Sequence, residues 1–231
     1  MNGSQTPCLL IHGFTGGPYE VEPLARYLET NGTYCRLYTL PGHDRQLHGL
    51  KTAGWQEWVR ASEIEAEQLS FRYGQFDVVG FSMGGLLAAY LANRYPVRRL
   101  VLLNAAVIYV SPRRMVNEIG SRILRGDRFR DWNKATRTPL RALHQFMQLG
   151  HALRPEFAEV TVPTLVAQGE LDPIIHPRSA HYIMNRLAGP KQLYMYPNSR
   201  HMICYEAEAE SLFRTVGLFL GQERELRRER F

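Results

Sequence analysis

The sequence is poor in cysteine, and the few it has do not suggest a disulfide framework. Three cysteines, Cys8, Cys35 and Cys204, occur in 231 residues, and each lies among strand-like apolar residues. An odd number in such positions favours buried free thiols in a reducing compartment over a disulfide-stapled secreted domain. We therefore predict a cytoplasmic protein.

Long apolar runs are also absent. The longest run, residues 100 to 110, is interrupted by Asn104, and the first seven residues have neither the basic start nor the apolar stretch of a secretory signal. The sequence therefore predicts no membrane-spanning helix and no cleaved leader. Internal repeats and low-complexity linkers are missing as well, so the whole chain, 1 to 231, is predicted to form one globular domain.

The charge is basic overall but unevenly distributed. Of the formal net charge of +6, the stretch from Ala105 to Val160 alone contributes +5, with ten Lys or Arg against five Asp or Glu. One interpretation is an ordinary solvated surface, and the other is weak attraction of anionic lipid or an anionic substrate to the mouth of a site. No nucleic-acid partner is predicted.

Short apolar runs alternate with amphipathic stretches, which is typical of strands and helices that take turns around a parallel sheet. Helical spacing of apolar residues predicts helices over residues 21 to 28, 55 to 69, 84 to 94 and 209 to 220. Strands are predicted at Cys8 to Ile11, Tyr34 to Tyr38, Phe76 to Val79, Leu100 to Leu103, Thr164 to Ala167 and Gln192 to Tyr196.

One stretch interrupts this alternation. About 55 residues, approximately 105 to 160, separate two strands and carry Arg, Met and aromatic residues in broken helical patterns. A structureless loop of that length is rare in a compact domain, so the stretch is predicted to be a small helical cap insertion. It should cover the carboxyl ends of the strands, where open parallel sheets bind ligands.

The strongest motif is Gly80-Phe81-Ser82-Met83-Gly84, which directly follows an apolar strand and opens a helix of small residues. A nucleophilic serine requires such a tight strand-to-helix turn, and glycines two residues before and after let the backbones approach closely. The following helix also directs its N-terminal amides at the position where negative charge develops. Ser82 is therefore predicted to be a nucleophile.

A serine nucleophile needs a histidine base and a carboxylate that orients it, and in this arrangement the chain order is Ser, acid, His. Of eight histidines, His201 alone follows the last predicted strand and lies in a polar turn before the final helix. Asp172, in the turn after Thr164 to Ala167, is the predicted carboxylate. Glu170 is its rival, with an exposed turn position as the alternative interpretation, and Asp77, at the opposite edge of the sheet, is predicted to be structural.

Two backbone amides should bind the oxyanion of the tetrahedral intermediate. One belongs to Met83, the residue after the nucleophile, and the other to Phe14, in the loop His12-Gly13-Phe14-Thr15-Gly16-Gly17 after the first strand. His12 itself is predicted to be a structural residue under that loop. The phosphate-binding pattern that ends in Gly-Lys-Ser/Thr is absent, which disfavours a nucleotide site.

These motifs, with Pro41-Gly42-His43-Asp44 and Arg200-His201, resemble those of the small bacterial carboxylesterases and monoacylglycerol-lipase-like members of the α/β-hydrolase superfamily. The resemblance covers nearly the whole chain. It implies a mostly parallel sheet flanked by helices, a small cap, hydrolysis of short- to medium-chain carboxylic esters, and no cofactor or metal. It also implies that residues 41 to 44 form a structural turn. In one departure from the family pattern, the strand that leads to His12 comes almost at once, so the initial antiparallel strands of larger members are expected to be missing or reduced.

Several alternatives stay open at this point. Within enzymes they are a lysophospholipase or monoacylglycerol lipase, a thioesterase and a peptidase of the same fold. Outside enzymes, a ligand receptor with vestigial hydrolase activity is the alternative, because a fold does not dictate a function. The expected partner is a small-molecule ester, and the chain could act as a monomer or a homodimer.

Overall fold

A computed structural model describes residues 6–44, 46–108 and 139–221. In these ranges, six parallel strands form one sheet in the order β2-β1-β3-β4-β5-β6. The strands are β1 (Cys8–Ile11), β2 (Cys35–Leu37), β3 (Phe76–Phe81), β4 (Val97–Leu103), β5 (Thr164–Gly169) and β6 (Lys191–Tyr196).

Within the same described ranges, six α-helices connect or flank these strands. They are α1 (Glu22–Thr30), α2 (Trp55–Tyr73), α3 (Met83–Ala92), α4 (Leu140–Leu153), α5 (Arg178–Arg186) and α6 (Ala209–Leu220), with short 3₁₀ turns between them. The predicted fold class, a mostly parallel sheet with helices on both faces, is confirmed. Most predicted elements are present, with bounds that differ by a few residues; the central strand is longer than expected because Gly80 and Phe81 continue its pairing with β4.

The core lies on both faces of the sheet because successive strand side chains alternate sides. In β1, Leu9 and Ile11 pack toward α2, α3 and α4, whereas Cys8 and Leu10 pack toward α1 and α6. Every residue of β3 is buried, as expected for a strand covered on both faces.

The strand order places a functional site at one defined position. From β1 the chain moves to one edge of the sheet, and from β3 it moves through β4 and β5 to the other edge. The carboxyl ends of β1 and β3, paired up to Ile11 and Gly80, therefore border the crevice where the winding direction reverses. Ligands of open parallel sheets bind at such a switch point.

The predicted cap insertion lies partly outside the described residues, which omit 109 to 138. Its C-terminal part forms α4, whose buried side chains, including Phe146 and Leu149, join the core beside α2 and α3. The basic segment and the cap as a domain thus stay predictions. None of the helices in the described part of the chain combines the length and the apolar character needed to cross a bilayer.

Candidate active site

Ser82 occupies the turn between β3 and α3. Its backbone has φ 54° and ψ −116°, a left-handed φ that is strained for a residue other than glycine. The flanking glycines are required sterically: a Cβ on Gly80 would lie 2.4 Å from the carbonyl oxygen of Gly84, and a Cβ on Gly84 would lie 2.3 Å from that of Ile11. The two glycines of the motif are thus required by the close packing of this turn.

His201 and Asp172 meet at the same edge of the sheet. His201 Nδ1 lies 2.7 Å from Asp172 Oδ2, and both residues are buried. The other carboxylate oxygen, Oδ1, accepts hydrogen bonds from the amides of Ile174 at 2.8 Å and Ile175 at 2.9 Å. A carboxylate held at both oxygens fixes the histidine ring with Nδ1–H as donor, which leaves Nε2 as the basic nitrogen.

The histidine also lies close to the nucleophile's strand. The His201 ring centroid is 5.0 Å from that of Phe81, the residue that immediately precedes Ser82. The structure therefore gathers Ser82, His201 and Asp172, which are distant in sequence, around the carboxyl ends of β3 and β5.

The alternative carboxylates lie elsewhere. Glu170 is exposed in its turn. Asp77 is buried within β3 and accepts hydrogen bonds from the guanidinium of Arg98, and burial raises the pKa of its carboxyl group despite that partner. Asp77 is therefore a structural residue, as predicted.

The loop after β1 carries the predicted oxyanion amide of Phe14. Beneath the loop, His12 is fully buried; its Nδ1 lies 2.8 Å from the carbonyl oxygen of Gly13, and its Nε2 accepts a hydrogen bond from the amide of Leu40 at 3.0 Å. Burial, with the adjacent His43, lowers the pKa of His12 to about 3. This neutral, fully bonded ring supports the loop and cannot serve as a base, in agreement with the structural role predicted for it.

Glu20 is a residue of this loop that sequence reasoning missed. Its carboxylate is buried and accepts a hydrogen bond from the amide of Gly13 at 2.8 Å. The Gly13 amide is thereby occupied, and the next amide along the loop is that of Phe14. The sequence around Glu20 carries no signal for this role, because a glutamate beside an amphipathic helix is ordinarily exposed.

Met83 supplies the second predicted amide. It is the first residue of α3, and amides in the first turn of a helix have no acceptor within the helix. The positive end of the helix dipole also lies there, so the position favours a developing negative charge.

A cluster of rings packs around Phe14 of the β1 loop. The rings of Phe14 and Phe146, from α4, stack at a centroid distance of 4.8 Å and an interplanar angle of 6°. His43 and Trp58 complete this cluster, and burial lowers the pKa of His43 to about 4. Residues 41 to 44, for which only the family resemblance suggested a role, thus contribute a neutral ring beside the loop.

In the part of the chain that the structure describes, no three His, Cys, Asp or Glu side chains cluster in a way that could hold a metal ion. The three cysteines are free and buried. Burial raises the pKa of the Cys204 thiol, which lies near His201 in sequence, to about 12.

The parallel sheet, the strand-to-helix serine and the buried histidine–carboxylate pair define a serine hydrolase with the α/β-hydrolase fold. More specifically, residues 4–208 match the profile of the Hydrolase_4 family, described as serine aminopeptidase S33, and the chain belongs to this family.

Characterised relatives cover most of the chain. A carboxylesterase of Bacillus subtilis (strain 168) is 27% identical over 229 residues, 94% of this chain and 93% of the relative. A thermostable monoacylglycerol lipase of Bacillus sp. (strain H-257) is 29% identical over 208 residues, 84% and 82% of the two chains. The predicted resemblance to this group is confirmed.

Solved structures show the same fold. A structure of the metagenome-derived lipolytic enzymes LipS and LipT superposes with a TM-score of 0.80 at 22% identity and covers 94% of both chains. The monoacylglycerol lipase of Paleococcus ferrophilus superposes with a TM-score of 0.70 at 17% identity, covering 94% of this chain and 96% of that one.

Proposed function

We propose that this protein hydrolyses short- to medium-chain carboxylic esters through an acyl-enzyme intermediate, with Ser82 as nucleophile, His201 as general base and Asp172 as the residue that orients His201. The observation that carries the proposal is the 2.7 Å contact between His201 Nδ1 and Asp172 Oδ2 at the sheet edge where Ser82 occupies its strained turn. Esters are the proposed substrates because the relatives include a carboxylesterase and a monoacylglycerol lipase.

In the first half of the reaction, Ser82 Oγ attacks the ester carbonyl carbon while His201 Nε2 accepts the hydroxyl proton. The carbonyl π electrons move to oxygen, and the amides of Phe14 and Met83 donate hydrogen bonds to the resulting oxyanion. When the tetrahedral intermediate collapses, the bond to the alkoxy group breaks and His201 gives its proton to the leaving alcohol. Asp172 stabilises the imidazolium that exists between these two steps.

In the second half, water replaces the alcohol. His201 takes a proton from water as its oxygen attacks the acyl carbon, the same two amides bind the new oxyanion, and the proton passes to Ser82 Oγ as the acid leaves. No step requires a cofactor.

The first experiment compares the wild type with Ser82→Ala on a series of nitrophenyl esters of increasing acyl length at pH 8, where an ordinary imidazole is neutral. We expect Ser82→Ala to lose a factor of about 1000 or more in kcat, the order of loss when a triad member is removed. Ser70→Ala is the matched control, because Ser70 lies on α2 and, among the described residues, its hydroxyl donates only to the carbonyl oxygen of Ala66. The acyl length with the highest kcat/KM indicates the length of the pocket that holds the acyl chain.

Each outcome of this experiment is informative. Equal activity of Ser82→Ala and wild type would exclude Ser82 as nucleophile, and negligible wild-type turnover on every ester would reject ester hydrolysis.

Monoacylglycerol hydrolysis is the second candidate, favoured by the relative of that name. Release of fatty acid from monoacylglycerols with a kcat/KM above that for the best nitrophenyl ester would select it over general carboxylesterase activity.

A further inference from the structure

We infer that Asn104, the residue directly after β4, is a positioning residue that sets the distance between Ser82 and His201. The inference rests on the proposed function of these two residues. Asn104 is fully buried and has φ 45°, and asparagine is one of the few residues that adopt this left-handed conformation readily. Its side chain and its neighbours contact the carriers of all three proposed catalytic groups.

The segment that contains Asn104 holds Ser82 by the main chain. The carbonyl oxygen of Leu103 accepts a hydrogen bond from the amide of Ser82 at 2.9 Å, and the amide of Ala106 donates to the carbonyl oxygen of Ser82 at 3.1 Å. Both polar groups of the nucleophile's own backbone are thus bonded to residues 103 to 106. These bonds account for how the strained turn at Ser82 keeps its conformation.

The side chain of Asn104 holds the loop of His201. Asn104 Nδ2 donates to the carbonyl oxygen of His201 at 2.8 Å and to that of Arg200 at 3.0 Å. On its other side, Asn104 Oδ1 accepts a hydrogen bond from the amide of Gly169 at 2.8 Å. Two carbonyl acceptors on one side and an amide donor on the other define the orientation of the carboxamide, and they use all of its donors.

The contact with Gly169 extends the connection to the carboxylate. Gly169 ends β5, three residues before Asp172, and a Cβ there would lie 2.5 Å from the carbonyl oxygen of Ser199. The loop of His201 therefore packs directly on the end of β5, and the amide of Leu171 donates to the carbonyl oxygen of Ser199 at 3.1 Å. Residues 103 and 106 thus bind Ser82 through the main chain, and the side chain of Asn104 in the same segment binds the loop of the base and the strand end that precedes the acid.

Proton transfer between a serine hydroxyl and a histidine depends steeply on their separation, and a misplacement of about 1 Å can cost about a hundredfold in rate. Loss of the Asn104 side chain would remove its hydrogen bonds to the carbonyl oxygens of Arg200 and His201, leave the latter with only the bond from the amide of Ile203 within the same turn, and widen the range of positions of the histidine. The residues proposed to bind the oxyanion, Phe14 and Met83, receive no hydrogen bond from the Asn104 side chain. The loss should therefore affect kcat far more than KM.

Two variants test the proposal. Asn104→Gly removes the side chain but tolerates the left-handed backbone, so it separates the lost hydrogen bonds from backbone strain. Asn104→Asp keeps an acceptor for the amide of Gly169 but presents an oxygen, not an N–H, to the two carbonyls. Thr164→Val is the matched control, since Thr164 is equally buried at the opposite end of β5 and, in the part of the chain described, its hydroxyl donates only to the carbonyl oxygen of Val162.

Three quantities are measured for each variant: kcat and KM on the best nitrophenyl ester, the melting temperature, and the low-field proton resonance of the His201 Nδ1–H that faces Asp172. For Asn104→Gly and Asn104→Asp alike we expect kcat to fall by about tenfold to a hundredfold with KM within about twofold, and the Nδ1–H resonance to broaden or vanish. For Thr164→Val we expect a lower melting temperature with unchanged kcat and an unchanged resonance.

The outcomes separate this inference from the proposed function. If wild type is active and Ser82→Ala is not, but Asn104→Gly keeps the wild-type kcat and resonance, the inference is wrong and the proposed function stands. An Asn104→Asp variant that matches wild type would show that the two hydrogen bonds to the loop of His201 are not both needed and would also overturn the inference. If Ser82→Ala retains full activity, the proposed function itself fails.

Discussion

Two carboxylates that lie two residues apart show how local hydrogen bonding separates a site residue from a surface residue. Asp172 is buried, bonded to His201 through one oxygen and to the amides of Ile174 and Ile175 through the other. Glu170 points into solvent from the same turn. The difference follows from the turn itself: two of its amides donate to the carboxylate of residue 172, whereas residue 170 is exposed to solvent.

This difference predicts opposite results for two isosteric substitutions. Asp172→Asn removes the negative charge and favours the wrong tautomer of His201, so kcat should fall by roughly 10³-fold to 10⁴-fold. Glu170→Gln, the matched control, should retain the wild-type kcat. Steady-state kinetics on one nitrophenyl ester measures both, and a large loss in Glu170→Gln with little loss in Asp172→Asn would exchange the roles of the two carboxylates.

At the scale of elements, the loop between β1 and α1 is held from three directions. His12 links the loop to the amide of Leu40, and the carboxylate of Glu20 accepts a hydrogen bond from the amide of Gly13. Phe146 of α4 stacks on the ring of Phe14. These contacts fix the residues on both sides of the Phe14 amide and the Phe14 ring itself. The position of the proposed oxyanion donor therefore depends on elements far apart in sequence.

Gly16→Ala tests this dependence. A Cβ at position 16 would lie 2.0 Å from Glu20 Oε2, so the buried carboxylate must move and release the amide of Gly13. We expect a fall in kcat of about tenfold or more, because one weakened oxyanion donor costs up to about 10²-fold to 10³-fold.

Gly17→Ala is the neighbouring control. Its backbone is extended, and its Cβ would meet only the ring of Tyr19 at 3.1 Å, which a small movement of that partly exposed side chain relieves. Gly17→Ala should therefore stay close to wild type. Equal kcat in Gly16→Ala and wild type would show that Glu20 does not govern the loop.

At the scale of the whole molecule, the fold buries two neutral histidines next to each other. The ring centroids of His12 and His43 are 5.1 Å apart, and burial lowers the pKa of the two rings to about 3 and about 4. Protonation of His12 would place an N–H against the amide of Leu40, which now donates to that nitrogen. The folded state therefore excludes protons that the unfolded chain binds readily.

The consequence is a loss of stability in acid. Below the unfolded histidine pKa of about 6.5, the unfolded chain takes up protons that the folded protein refuses, so the free energy of unfolding falls as the pH falls toward the folded pKa values. For His43 alone the loss between pH 7 and pH 5 is about 2 kcal/mol. We expect the free energy of unfolding of His43→Phe to fall by about 2 kcal/mol less than that of wild type between pH 7 and pH 5, as measured by urea unfolding at several pH values.

Thr164→Val controls for destabilisation without loss of an ionisable group and should keep the wild-type dependence on pH. An identical dependence in wild type and His43→Phe would mean that His43 takes up protons equally in the folded and unfolded states.

The sequence by itself determined the order of the six strands along the chain, four of the six described helices (α1, α2, α3 and α6), the predicted nucleophile and the fold class. Their signals are local, since apolar periodicity and the glycines around Ser82 express steric requirements within a few residues. The chain order Ser82, Asp172, His201 also follows from turn positions after individual strands.

Only the tertiary structure decided which long-range contacts hold these groups. Glu20, Asn104 and the stacking of Phe146 on Phe14 have no signature in the sequence, because a buried glutamate or asparagine is distinguished from a surface one by partners many residues away. The burial and hydrogen bonds of these residues arise only where β1, β3, β4 and β5 end together at one edge of the packed sheet. No single segment of the chain determines them.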